Sequence, residues 1–312
     1  MYNDKHVLLI GGGGTLGTYT AKELLRLGAR VDVLCPEDKV SNNSGLTYLK
    51  GLGTKEYLSE LFESTHYDGI VNFIHYANPD EYKEIHPLLI SNTDHLIFLS
   101  SYRVYADLEH PIKESSPRIN DVTDNKDYFL YEDYSNSKSV AEDFLNNECA
   151  SQPWTIVRPV ISFSARRFDI YTYSGTHVFD NKVLKLPEFA KTLHAGLDWS
   201  GNSGKLIANL LFKERAIGET FTVSSAWNLT WGEVADIYTD VVGTTFEWVS
   251  EEEFLSANPH ITPTNFMYHY DRKYDRLIDN SKILSVTGVS REELTSIRDG
   301  LHIETEIYRG KR

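Results

Sequence analysis

The stretch HVLLIGGGGTLGTYTAKELLRLGARVDVL, His6 to Leu34, decides the fold. Val7, Leu8, Leu9 and Ile10 form an unbroken apolar run, the pattern of a strand buried on both faces. Glycines at 11–14 follow, then Thr15, Leu16 and Gly17. Next comes a helical pattern with Ala21, Leu24, Leu25 and Leu27 on one side, stopped at Gly28. Val31, Val33 and Leu34 make a second strand. A β-α-β unit this short leaves the helix N-terminus facing the end of the first strand. The unpaired amides and the helix dipole there suit a pyrophosphate. Gly12, Gly14 and Gly17 make G-x-G-x-x-G, and Gly11, Gly14 and Gly17 make G-x-x-G-x-x-G. In either frame one glycine permits the turn, one lets the backbone approach phosphate, and the last lets helix and strand pack closely. The expected cofactor contacts here are Gly11, Gly14, Thr15, Leu16 and Gly17.

Beyond Leu34 the second strand ends in Cys35 and Pro36, with Glu37 and Asp38 just after. An acid at this place bonds an adenine-ribose hydroxyl, whereas an arginine suits a 2′-phosphate. The nearby acids and the absence of arginine favour NAD, and Lys39 keeps NADP as the alternative. Cys35 is therefore placed at the ribose. Further strands are expected at 46–49, at 70–74 (IVNFI) and at 95–99 (HLIFL), with helices between them. Asn72 is assigned to the cofactor, and His75, just past the fourth strand, to the substrate beside the nicotinamide. Pro79 can start the next helix, which Pro87 should bend or break. This alternation predicts an α/β, Rossmann-type, doubly wound parallel sheet. Residues 1–160 plus about 191–225 would form that domain. Residues about 161–190 plus 226–312 would form a smaller, mostly C-terminal substrate lobe.

The chain has 312 residues, 41% hydrophobic and 24% charged, with a formal net charge of −14. That charge opposes non-specific binding to nucleic acid and to anionic membrane. The N-terminal MYNDKHVLLIGG is not expected to act as a signal peptide, and no apolar run is long enough to span a membrane. Cys35 and Cys149 show no metal or redox spacing, which fits a reducing, cytoplasmic setting.

The fifth strand runs into Ser100, Ser101, Tyr102, Arg103, Val104 and Tyr105, a hydroxyl-rich segment where ligands bind in such sheets. A helix follows from about Asp133 to Asn147, carrying Tyr134 and Lys138 four residues apart on one side. A tyrosine hydroxyl titrates near ~10, too high for a base at neutral pH. A lysine cation close by stabilises the phenolate. With Ser101 bonding the reacting oxygen, the three could move a proton while a hydride passes to or from nicotinamide.

With these residues in place, the chain resembles an extended short-chain dehydrogenase/reductase of the NAD-dependent epimerase/dehydratase family. The matching stretches are GGGGTLG at 11–17, LSSYRVY at 99–105, YSNSKSVAE at 134–142 and TIVRP at 155–159. Softer matches are AIGETFTVSSAWNLTW at 216–231 and IDNSKI at 278–283. The resemblance implies that Tyr134 is the catalytic acid/base, that Lys138 holds the nicotinamide ribose and tunes the tyrosine, and that Ser101 orients the substrate oxygen. It also implies a homodimer through the Tyr134 helix.

There are departures. Dehydratases of the family carry an Asp-Glu pair where Tyr102 and Arg103 stand, which argues against water elimination. Ile161 stands where members binding nucleotide sugars usually have Asn, and Ile74 and His75 where the fourth strand usually ends in small residues. These features resemble the atypical branch, which includes chloroplast stem-loop RNA-binding proteins.

The expectation is an NAD(P)-dependent epimerase or dehydrogenase/reductase. Its small-molecule substrate would present a secondary alcohol or ketone on a sugar, sugar-nucleotide-like or polyol skeleton. The alternative is a non-catalytic NAD(P)- or RNA-binding protein on the same fold. Tyr102, Arg103 and Arg276 are assigned to the substrate with His75. Arg272 and Arg276 otherwise read as surface or interlobe ion pairs, with Arg276 favoured as an anion clamp for its place before IDNSK. Arg166 and Arg167 carry the same two readings. His194 and Asp198 read as a structural pair, or a polar group near the lobe junction, and not a metal site, since no third ligand is in view. The aromatic run at 168–179 reads as lobe core.

Overall fold

In the computed structural model, residues 2–180 and 182–310 are described. The first half runs β1 (His6–Ile10), α1 (Thr15–Arg26), β2 (Arg30–Cys35), β3 (Leu46–Lys50), α2 (Lys55–Phe62), β4 (Tyr67–Asn72), α3 (Pro79–Ile90) and β5 (Thr93–Leu99). Two short helices, α4 (Ile119–Val122) and α5 (Lys126–Tyr131), lead into α6 (Ser135–Glu148) and β6 (Trp154–Pro159). Then come β7 (Ile161–Phe163), β8 (Val183–Pro187), β9 (Leu197–Trp199), α7 (Ser200–Leu210) and β10 (Glu219–Val223). The chain ends with α8 (Trp231–Val242), β11 (Thr245–Val249), α9 (Glu251–Ala257), α10 (Ser281–Thr287) and α11 (Ile297–Tyr308).

Seven strands make one sheet in the order β10-β6-β5-β4-β1-β2-β3. Every neighbouring pair in it is parallel. The order reverses between β1 and β4, so the glycine loop after β1 and His75 after β4 emerge side by side at the carboxyl edge. Open parallel sheets bind their ligands at such a switch point. Period two along β1 explains the burial: Val7 and Leu9 enter one core with Leu24 of α1 and Leu206 of α7. Leu8 and Ile10 enter the other with Leu58, Leu89 and Leu145 of α2, α3 and α6.

The expected strands and most helices are present, with shifted ends. Helix α3 is an exception in kind, because it continues through Pro87 to Ile90. Pro87 is exposed, while Tyr82, Ile85, His86 and Leu89 are buried along the same helix. That burial offsets the one backbone bond proline cannot donate. Thr230 caps α8: its Oγ1 accepts from Glu233 N at 3.2 Å, and Glu233 Oε2 accepts from Thr230 N at 2.8 Å.

The smaller lobe has its own core, in which Phe168, Ile170, Tyr171, Trp231 and Tyr238 are buried. The aromatic run thus packs as lobe core. Two small parallel pairs frame the lobe, β8 with β11 and β7 with β9. Ile283, Val289 and Leu294, expected in the lobe, pack instead in the core beneath the large sheet with α7.

Helix α6 is tied to β6 by a buried ion pair. Arg158 donates from Nε to Glu142 Oε1 at 2.8 Å and from Nη2 to Oε2 at 2.6 Å. Arg118 adds a 3.3 Å bond to the same carboxylate. Burial alone would raise the Glu142 carboxyl, but the Arg158 charge and hydrogen bonds hold it below its ordinary value. Glu142→Ala would leave the buried Arg158 guanidinium without its carboxylate. The expected loss is ~3–5 kcal/mol of stability, read by urea unfolding. A loss near zero would show that water replaces the carboxylate.

Candidate active site

The glycine loop has the geometry its sequence demands. Gly11 sits at φ +71°, in the left-handed region. A Cβ on Gly17 would lie 2.4 Å from Gly12 Cα, so α1 packs on the loop backbone itself. At Gly14 an added Cβ would meet nothing within 4 Å, so this glycine faces open space. Gly14 is also the N-cap of α1, and no side chain caps that end. The first amides of the helix are left to an outside acceptor.

Cavities open on both sides of this loop. The larger, about 490 Å³, is lined by Gly11, Leu34, Cys35, Gly53, Ile74 and His75, among others. Cys35 lines it at the end of β2. Lys39 reaches back from the β2 end and donates to Gly13 O at 3.2 Å. A second cavity of about 250 Å³ is lined by Thr15, Leu16, Leu99, Ser101, Tyr102, Arg103 and Tyr134. Ile161, Arg167 and Arg272 close its far side. The structure therefore gathers Ser101, Tyr102, Arg103 and Tyr134 at one pocket with the start of α1.

Tyr134 is not inside α6 but is its N-cap residue. Two groups flank its ring: His75 at 4.8 Å between ring centroids and the Arg103 guanidinium at 4.8 Å from the centroid. Burial first, and the Lys138 charge next, push the His75 imidazole below its ordinary value. Ser101 Oγ accepts from Arg103 N at 3.2 Å, which fixes the turn after β5. Lys138 is 2% exposed and donates to Leu99 O at 2.5 Å and to Ile74 O at 3.3 Å, between the ends of β5 and β4. Burial pushes its ammonium down to about 7.

Several expected contacts fall elsewhere. Asn72 is fully buried, donating to Tyr76 Oη at 3.0 Å and accepting from Ile74 N at 3.1 Å. It shapes the turn that carries His75 and lines neither cavity. His75 lines the larger cavity, not the pocket of Ser101. Arg276 is a correction. It is 1% exposed, with Nε on Asp271 Oδ1 at 3.0 Å, Nη1 on Tyr105 O at 3.0 Å and Nη2 on Tyr270 O at 3.1 Å. Its donors are consumed inside the protein, and its neighbour Arg272 lines the pocket instead. The proximity of Arg276 to IDNSK carried no information about which way its side chain turns. Tyr102 lines the pocket by its ring, while its hydroxyl donates to Asp271 at 2.8 Å. His194 and Asp198 do not pair. His194 Nδ1 meets Asp275 at 2.7 Å, and buried Asp198 accepts from Ser225 and Asn202.

Arg167, left open between two readings, lines the pocket and pairs with Asp169 at 2.7 Å. Arg166 lines a smaller cavity with Gly14 and Thr15. Met267 also lines the Tyr134 pocket, and its loop carried no signal in the sequence. Among the described residues, no helix is long and apolar enough to cross a membrane.

The NAD-binding family model described as male sterility protein matches residues 75–176. That span holds Ser101, Tyr134 and Lys138, but not the glycine loop. Comparison with curated proteins gives no match. Among solved structures, an epimerase from Methanothermobacter thermautotrophicus is similar at 17% identity and TM-score 0.69, over 99% of this chain and 93% of the other. The UDP-glucose 4-epimerase of Thermus thermophilus, in complex with NAD, is similar at 15% identity and TM-score 0.68, over 98% of this chain and 100% of the other. A short-chain dehydrogenase/reductase superfamily protein from Agrobacterium tumefaciens with bound NAD is similar at 13% identity and TM-score 0.67, over 98% of both chains. The chain thus has the fold of the NAD-dependent epimerases and short-chain dehydrogenases/reductases, and the resemblance drawn from its motifs holds at the level of architecture.

Proposed function

We propose that the chain is an NAD(P)-dependent epimerase or dehydrogenase/reductase acting on a secondary alcohol or ketone of a sugar or sugar-like substrate. One observation carries the reading. Ser101 and Tyr134 share a 250 Å³ pocket with Thr15 and Leu16, at the end of the helix whose amides are uncapped. The residues fit a dinucleotide. The open face at Gly14 and the α1 amides suit the pyrophosphate, and the cavity at Cys35 suits the adenosine end. The NAD complexes of similarly folded proteins support NAD as the cofactor, with NADP the alternative. Bound nicotinamide would accept or return the hydride.

The chain's own residues would do the rest. Ser101 Oγ would bond the reacting oxygen and hold it at Tyr134. In the oxidising direction the Tyr134 phenolate would take the hydroxyl proton as the carbon loses hydride. In the reducing direction the Tyr134 hydroxyl would return that proton to the carbonyl oxygen. Lys138 is buried between the ends of β4 and β5 and lines neither cavity, so it would act on Tyr134 through its charge and not by touching the ligand. His75 and Arg103 would hold the Tyr134 ring from two sides. If the hydride returns to the opposite face, the outcome is epimerisation; if it leaves with the cofactor, the outcome is net oxidation or reduction.

Tyr134→Phe keeps the ring and removes the proton. It is expected to lower turnover by ~10²–10⁴-fold with NAD affinity unchanged by calorimetry. Retained turnover would remove Tyr134 from the chemistry. Chromatography of nucleotide released on denaturation tests the cofactor directly. Tightly held NAD points to an epimerase that recycles it, and protein that binds neither NAD nor NADP overturns the proposal.

Lys138 gives a pH prediction. Its folded value of about 7 lies below the ordinary 10.5. Between these values the unfolded chain holds a proton that the folded chain has released. Stability from this site therefore rises with pH through that window and is lost as pH falls through it. Lys138→Met should be stabilised most over the wild type near pH 7, with the advantage shrinking toward pH 10. Urea unfolding across that range reads it, and a pH-independent difference would refute the depressed value.

A further inference from the structure

We infer that the Tyr134 pocket takes a compact hydroxy or keto acid whose carboxylate lies beside the reacting carbon, and that Arg103 is the residue that binds this carboxylate. The inference rests on the hydride-transfer reading of the same pocket and names its substrate class.

Three guanidinium groups line the pocket, from the turn after β5 (Arg103), the loop after β7 (Arg167) and the turn at 268–272 (Arg272). Among the described residues, no acidic side chain lines it. The balancing carboxylates stand behind the arginines: Glu132 on Arg103 at 3.3 Å, Asp169 on Arg167 at 2.7 Å, and Asp271 on Arg272. The pocket therefore presents donors and positive charge, with the acids turned away from it.

The three arginines are not equivalent. Arg272 Nε donates to Tyr171 O at 2.6 Å, and its Nη1 is engaged by Asp271 and the Tyr102 hydroxyl. It is built into the wall. Arg167 is 58% exposed and stands at the mouth. Arg103 is 17% exposed, and its buried Nε has no acceptor among the described residues. Its one carboxylate partner among them, Glu132, is shared, since Glu132 Oε1 also accepts from Ser135 N at 2.8 Å and Ser135 Oγ at 3.0 Å. Its Nη2 already donates to Glu132 and its Nε is buried, so Nη1, which has no acceptor among the described residues, is the donor left for a ligand carboxylate.

Position then sets the chemistry. Arg103 lies two residues past Ser101, is bonded to its hydroxyl through the backbone, and covers the Tyr134 ring at 4.8 Å. An anion held there neighbours the oxygen that Ser101 and Tyr134 would hold. Volume sets the size. At about 250 Å³ the pocket is smaller than the ~300–1,000 Å³ typical of drug-sized sites. That suits a six-carbon sugar acid or a shorter hydroxy acid beside the reacting groups.

The test uses the full chain loaded with NAD and matched probes: D-glucuronate, D-gluconate and L-lactate against D-glucose, D-sorbitol and 1,2-propanediol. Calorimetry reads binding and nicotinamide absorbance reads turnover. The acids are expected to bind about tenfold tighter or more than their neutral partners. Arg103→Gln should abolish that preference while leaving NAD affinity unchanged, and Arg103→Lys, which keeps the charge beside Glu132, should restore part of it. Tyr134→Phe should keep the preference without turnover. Acids that bind no tighter than neutral partners, or a preference that survives Arg103→Gln, overturn the inference. If neutral alcohols then turn over in a Tyr134-dependent way, the hydride-transfer reading stands alone. If acids bind through Arg103 with neither a nicotinamide absorbance change nor an epimer detected by chromatography, that reading falls and the anion site stands.

Discussion

The structure depends on how tightly α1 is held. A Cβ on Gly17 would strike Gly12 Cα at 2.4 Å, and a Cβ on Gly204 of α7 would strike Tyr19 C at 2.5 Å. The helix is thus pressed against the loop backbone on one side and against α7 on the other, with glycine as the spacer at both contacts. Close packing of this kind leaves no room for the axis to shift. It aims the uncapped end of α1 at the carboxyl edge of the sheet. The lobe is tied to the same helix through Glu304 of α11. Its buried carboxylate accepts from Tyr19 Oη, from Trp199 Nε1 at 2.6 Å and from Ala165 N at 2.6 Å. The lobe wall of the Tyr134 pocket is therefore referenced to α1.

A second anchor sets the opposite wall. Helix α6 carries Tyr134 at its N-cap and Lys138 one turn on, and Glu142, one turn further, is clamped by Arg158 of β6. A buried ion pair is costly to desolvate, and its two-pronged geometry specifies one orientation of the helix. That orientation drives Lys138 between two strand-end carbonyls, where burial depresses its ammonium. Stability is given up at Lys138, and the Glu142 pair holds the helix in the orientation that imposes this. Local rules broken at a site and compensated elsewhere are the pattern expected of functional positions.

The central sheet was legible because its strands are short apolar runs bounded by turns, a signal carried within each segment. That Ser101 and Tyr134 meet at one pocket was legible because spacing and chain order put them at neighbouring element ends. The lobe was not. Strands β8 and β11 pair only with each other, are partly exposed, and lie far apart in the chain, so neither shows a pattern alone. The choice between Arg272 and Arg276 was equally hidden. Both sit beside Asp271, and the backbone turn at 268–272 sends one toward the pocket and the other toward Tyr105 O and Tyr270 O. Asn72 failed for a related reason: a side chain at a strand end can face the ligand or brace the turn, and the residue type allows both.

The formal charge of −14 suggests a protein that turns anions away, yet among the described residues the pocket beside Tyr134 is lined by three arginines and no acid. The two facts operate at different ranges. Exposed charges farther than ~8 Å are largely screened at physiological ionic strength, whereas groups lining a pocket act at contact distance in a poorer dielectric. What a ligand meets is therefore set by which member of each ion pair faces inward. Here Arg103, Arg167 and Arg272 face the cavity, while Glu132, Asp169 and Asp271 stand behind them. Swapping the members of those pairs would leave the net charge untouched and reverse the sign of the pocket. Composition reports a sum over the surface, and recognition depends on the orientation of a few pairs, which only the folded chain displays.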